Sequence, residues 1–289
     1  MKNLFYLIFL IFFATIINGQ EKKAEYGTEK YENFQTPEYC GQCHNDFYHQ
    51  WTQAMMSKCY THEWDEIEYF KLAVAHAEQD ESFKEAVDGC NGCHAAISYL
   101  SGDTPPPPPA EGSRANESTS CEVCHNITGF EGDTPYNFNY TVDAGKTKYS
   151  SRVGKTESPN HQIKKNDLFS KGEFCGICHN EKSPFDVWVK STHLEWKEGP
   201  YSDEGVQCQD CHMPKAESKT AKMGAEYTDA RQHLFHGAHD PGKVRGTIEL
   251  RIQPDIQETQ MGMPVVFTVA LFNQKTGHKF PTGSVEDRI

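Results

Sequence analysis

The chain has 289 residues, with 28 basic and 41 acidic side chains and a formal charge of −13 at pH 7. Such acidity argues against nucleic acid as a partner, since phosphate binding needs a basic surface. It suits a cationic protein partner or a small substrate, and serves solubility equally well. Hydrophobic residues make up 37% of the chain, so unaided burial of apolar area would give only a meagre core.

The chain opens with Lys2 and an apolar run from Leu4 to Ile17. That length suits the apolar part of a secretory signal and is short for a membrane span. Ile17-Asn18-Gly19 offers a cleavage site before Gln20. Residues 1–19 are therefore predicted to be a removed signal peptide, with an uncleaved anchor as the alternative. Removal would leave 27 basic against 41 acidic residues, a formal charge of −14. No later segment has the length and apolarity of a span, so no membrane span is expected after signal removal.

Five times the chain spells Cys-x-x-Cys-His: Cys40, Cys43, His44; Cys90, Cys93, His94; Cys121, Cys124, His125; Cys175, Cys178, His179; and Cys208, Cys211, His212. This is the attachment pattern of c-type haem. The paired thiols form thioethers with the porphyrin, and the adjacent histidine becomes the proximal iron ligand. Zinc ribbons and thiol-disulfide sites also use Cys-x-x-Cys. They do not require the His that follows every pair here, and five pairs do not divide evenly into four-cysteine zinc sites. Five covalent c-type haems are expected, and with them export to a periplasm or another secreted or envelope-associated location.

The sites at Cys40 and Cys175 share Cys-Gly-x-Cys-His-Asn with a Trp downstream, Trp51 or Trp188, and the sites at Cys121 and Cys208 also resemble each other. A duplicated two-haem unit, with the Cys90 site inserted into the first copy, accounts for this. Asn45 to Lys58 reads as helix, with Phe47, Trp51 and Met55 at four-residue steps. Glu63 to Asp88 reads as a second helix, ended by Gly89. Pro105 to Pro109 reads as a stiff spacer, and Thr134 to Pro159 as a long loop. Ser191-Thr192-His193, after Trp188, is expected on a helix following a haem site. From Lys243 the pattern alternates, and Thr247–Ile252 and Val265–Leu271 read as strands with one buried face. The predicted fold is mainly α with long loops, a multihaem cytochrome c fold with a haem-packed core, plus the start of a C-terminal β-sandwich-like segment. The expected divisions are a pentahaem domain over 20–242 and an incomplete β-rich segment over 243–289.

Nine histidines lie outside the motifs. A low-spin haem needs a second axial ligand, usually His or Met. His161, His193, His233, His236, His239 and His278 are the candidate distal ligands. His49, His62 and His76 complete the nine, and a solvated surface role competes for each. The cluster His233-Leu-Phe-His236-Gly-Ala-His239 could instead hold another metal. Met55 and Met56 read as packing residues or axial ligands, and Cys59 as a buried inert thiol.

The first three motifs with Tyr48, Trp51, Ser120 and His161, and then the fourth motif, resemble the cytochrome c-554 family of multihaem cytochromes. Val206-Gln-Cys208-Gln-Asp-Cys211-His212-Met-Pro214 and Gly277-His-Lys-Phe-Pro-Thr-Gly283 resemble longer relatives with a β domain. The resemblance implies a haem-wrapped fold with closely stacked haem pairs, and electron transfer in the periplasm tied to anaerobic respiration. It also implies a distal role for His193, through Ser-x-His after Trp188. After Trp51 the corresponding text is Ala54-Met55-Met56, so Met56 or His62 would ligate there, or an iron would be left open. No acid-base or nucleophilic constellation, nucleotide fingerprint or Cys-x-x-Cys-Lys variant is present. The leading expectation is an electron carrier serving redox protein partners, within a larger multihaem complex in one version. The alternative is a reductase or oxidase of a small nitrogen or sulfur compound at a five-coordinate haem.

Overall fold

The computed structural model describes residues 22–103, 114–155 and 157–284. The expected signal peptide and the Pro105–Pro109 spacer lie outside them. Among the described residues no helix is long and apolar enough to cross a membrane.

Short helices carry the Cys-x-x-Cys-His motifs, and small sheets tie them together. Thr36 caps the first helix, Pro37–Gly41, by accepting from the Tyr39 N–H at 3.3 Å, and Pro37 stands in its first turn. That is a favoured helix start. Helices Lys84–His94, Cys121–Asn126, Gly172–His179 and Cys208–His212 hold the other four motifs. The last begins with a reciprocal cap between Gln207 and Asp210.

Among the described residues, eleven short strands form five sheets. β1 (Lys22–Lys23), β2 (Ile127–Phe130) and β3 (Tyr140–Val142) make an antiparallel sheet in the order β1-β3-β2. β4 (Thr147–Ser150) pairs parallel with β5 (Gln162–Lys165), and β6 (Asn180–Lys182) antiparallel with β7 (Trp188–Ser191). β8 (Lys215–Lys219) pairs with β9 (Glu226–Arg231), and β10 (Ile248–Pro254) with β11 (Phe267–Asn273).

The apolar core is small. Its main cluster joins Phe34, Ile97, Leu100, Val123, Ile127, Tyr140, Val142 and Ile177, and a second centres on Tyr60 and Tyr69. The first cluster packs residues beside three different motifs onto β2 and β3.

Several expectations change. Gly89 does not end a helix; helix Lys84–His94 runs through it. The break comes earlier, at Asp80, whose carboxylate caps a short turn by accepting from the Ser82 N–H. The missing side chain of Gly89 accommodates the Phe138 ring instead. The stretch Thr134–Pro159 contains β3 and β4, because Tyr140 and Val142 have core positions to fill. Ser191 ends β7, which Trp188 begins, and the expected helix starts only at Thr192, with His193 in the first turn of helix Thr192–Lys197. Helix Asn45–Gln53 stops short, followed by a 3₁₀ turn at Met55–Ser57. The two C-terminal strands pair as read, but the apolar face is not buried. Leu250 is 55% exposed and its cross-strand partner Leu271 66%.

The segment 135–139 is a bracket between the second and fourth motifs. Phe138 N–H donates to the Ile177 carbonyl and Asn137 N–H to the Asn180 carbonyl. Asn137 and Phe138 both have positive φ, of 45° and 48°, a strained conformation held by those contacts. The Phe138 ring lies so close to Gly92 that a Cβ there would meet it at 2.4 Å. Gly92→Ala is therefore expected to overpack this junction, costing about 1–3 kcal/mol. Urea unfolding of the holoprotein measures it, and an unchanged midpoint would contradict the packing.

Candidate cofactor and redox site

The motifs meet through their cysteines. Cys40 lies beside Cys121, Cys93 beside Cys178, and Cys175 beside Cys208. Cys124 is within electrostatic reach of Cys175. The first motif thus lies beside the third, the second beside the fourth, and the fourth beside both the third and the fifth. Glycines allow close approach within the motifs. A Cβ on Gly41 would meet the Tyr48 ring at 2.7 Å, and one on Gly176 would meet His193 at 2.7 Å and Pro135 at 2.8 Å.

The motif histidines share an orientation. His94 donates Nδ1–H to the Cys59 carbonyl at 2.6 Å, His125 to that of Tyr149 at 2.7 Å, and His212 to that of His236 at 2.6 Å. His44 does the same to the Thr220 carbonyl. A carbonyl can only accept, so each bond fixes the proton on Nδ1 and leaves the Nε2 lone pair free for a metal.

Three motif histidines face a second imidazole. Ring centroids lie 5.9 Å apart for His44 and His161, 6.3 Å for His125 and His233, and 6.3 Å for His212 and His278. Two imidazole–metal bonds of about 2 Å each would set opposed ring centroids roughly 6 Å apart. His233 and His278 also turn Nδ1–H onto carbonyls, of Arg231 at 3.0 Å and Lys279 at 2.8 Å. Sequence had marked His161, His233 and His278 as spare imidazoles without pairing them to a motif.

The other spare histidines differ. His193 is 2% exposed; its Nδ1 meets the Asn180 side-chain amide at 3.1 Å, and its Nε2 is buried without a protein partner. His236 lies 3.1 Å from Asp240, while His239 neighbours His62 with centroids 6.1 Å apart. Among the described residues no three metal-ligating side chains converge. His76 packs on Phe83 and His49 beside Tyr48. Among the described residues, His94 and His179 have no imidazole opposed in this way.

Sequence reading missed two charged residues at the junction of the second and fourth motifs. Asp65 Oδ1 is 2.7 Å from His94 Nδ1. Lys190, with only 15% of its side chain exposed, lies 3.3 Å from Glu181 and within electrostatic reach of His94 and His179. Their distance in sequence from the motifs hid both. Cys59 donates to the Met56 and His94 carbonyls, and burial pushes its thiol up to about 11. It is therefore protonated and unreactive at neutral pH.

Free Nε2 lone pairs, opposed imidazoles, paired thiols and an orphaned buried ring nitrogen all fit thioether-linked haem. Comparisons with known proteins agree. Residues 39–126 match the family model of cytochrome c554 and c-prime, and residues 161–251 that of the NapC/NirT cytochrome c family, N-terminal region. A search of the curated proteins gives no match. Among solved structures, the chain is similar to a penta-heme cytochrome c552 from Thermochromatium tepidum. The TM-score is 0.61 at 19% identity, over 87% of this chain and 68% of that one.

One of these imidazoles generates a pH prediction. Burial pushes His233 from 6.5 down to about 4. Below about 6.5 the unfolded chain takes up a proton that the folded chain refuses, so stability falls as pH drops toward about 4. Unfolding midpoints of the holoprotein should decline over that window, and less so in His233→Ala. Equal slopes in the two proteins would contradict the assignment.

Proposed function

We propose that the chain is a multihaem c-type cytochrome that holds five haems and passes electrons along them between redox partners outside the cytoplasm. Bound haem supplies the one-electron iron couple, and the protein tunes it through axial ligand, burial and hydrogen bonding. The carrying observation is the closeness of the motifs to one another. Cys40–Cys121, Cys124–Cys175 and Cys175–Cys208 connect the first, third, fourth and fifth sites in a row, and Cys93–Cys178 attaches the second to the fourth.

In this reading His44 works opposite His161, His125 opposite His233, and His212 opposite His278. His193 presents its buried Nε2 to the cofactor. His236 acts through its carbonyl, which orients His212, and neither its ring nor that of His239 is assigned an iron. The haem domain spans 20–242, and the segment 243–289 carries the exposed β10–β11 face. The apolar N-terminal run and the extracytoplasmic attachment of c-type haem support a periplasmic location. The acidic surface suits a cationic redox partner, alone or within a larger multihaem complex.

A second reading rests on one observation. Among the described residues His94 and His179 have no imidazole opposed to them as the other three motif histidines have, so an iron there could bind a small nitrogen or sulfur compound. Lys190 beside both supplies positive charge for an anionic ligand.

Electron paramagnetic resonance of the holoprotein tests both readings. His161→Ala, His233→Ala and His278→Ala should each convert one low-spin haem to high spin, whereas His49→Ala should not. No conversion in the first three would overturn the ligand assignment. Carbon monoxide should perturb the visible absorption spectrum of the reduced unmutated protein if the second reading holds, and leave it unchanged if the chain is a carrier alone.

A further inference from the structure

Of the four motif histidines with an oriented Nδ1–H, His94 is set apart by its second acceptor. His44, His125 and His212 donate to a backbone carbonyl. His94 shares its proton between the Cys59 carbonyl at 2.6 Å and the Asp65 carboxylate at 2.7 Å. Asp65 closes the short helix Glu63–Asp65 and has 20% of its side chain exposed. An anion so placed is poorly screened, so its charge acts strongly on its neighbours.

A carboxylate on Nδ1–H draws the proton away from the ring and raises the basicity of Nε2. The ring then donates more strongly to a metal. The ferric state, with one more positive charge than the ferrous, gains more from this than the ferrous does. Lys190 acts in the opposite sense, since its ammonium reaches His94 and Cys93. Glu181 at 3.3 Å partly neutralises that ammonium, whereas the carboxylate of Asp65 is bonded directly to the ligand ring.

We propose that Asp65 is a positioning residue that gives His94 anionic character and lowers the reduction potential of the haem at Cys90–His94. This rests on the reading that the second motif holds a haem with His94 as its axial ligand. It adds a setting specific to that site: the second haem, attached to the fourth, is tuned by a side-chain charge, whereas the first, third and fifth are oriented by peptide dipoles.

The test is a spectroelectrochemical titration of the holoprotein, unmutated and as Asp65→Asn, Asp65→Ser and Asp65→Glu. Both neutral variants should raise one midpoint and leave the other four in place. The expected rise is at least about 59 mV for a one-electron couple, a tenfold fall in the oxidised-to-reduced ratio at fixed potential. Asp65→Glu, which keeps the charge, should retain most of the native midpoint. Unchanged midpoints in neutral variants carrying all their haems would overturn the proposal. So would loss of one haem from both neutral variants with retention in Asp65→Glu, since the carboxylate would then serve attachment and not potential. Peptide mass analysis separates these results from failure of the underlying reading: in that case the unmutated protein would lack haem on Cys90 and Cys93.

Discussion

An imidazole can bind iron through Nε2 only when its proton sits on Nδ1, and that requirement organises this chain. The proton is held by carbonyls that lie well away from the motif in sequence. Thr220 orients His44, Cys59 orients His94, Tyr149 orients His125 and His236 orients His212. Each bond secures a loop or strand end to a motif helix. The irregular backbone between motifs is therefore placed by its bonds to these rings as much as by its own apolar content.

The same economy explains the core. With 37% hydrophobic residues, the chain builds two modest apolar clusters, and the larger gathers residues beside the second, third and fourth motifs onto β2 and β3. The strained pair Asn137 and Phe138 closes the junction of the second and fourth motifs, and the absent side chain of Gly92 makes that approach possible. Packing and motif apposition are thus one feature. The thiol contacts that join the sites into a branched row depend on glycines and rings that hold the motif helices together.

What was legible in the sequence is what local chemistry determines. Five pentapeptides announced their cofactor because the thioether and proximal-ligand chemistry needs those residues side by side. The alternation in Ile248–Pro254 and Phe267–Asn273 gave the C-terminal strands, though not the exposure of Leu250 and Leu271. Long-range placement was not legible. The pairing of His44 with His161 spans more than a hundred residues, and nothing in the spacing singles out His278 for His212. The likeness of the Trp51 and Trp188 regions did not show that the second is a strand, in which Glu181 and Lys190 pair across β6 and β7. Asp65 carried no signal, because a lone carboxylate in an acidic chain is ordinary until its partner is known.

The central claim is that five thioether-linked haems occupy the five motifs and supply both the ligand sites and the redox activity. Intact-mass spectrometry of protein matured in a host competent for haem attachment tests it most directly. The account predicts one species carrying five haem additions. A folded chain bearing zinc, disulfides or no adduct at these cysteines would contradict it.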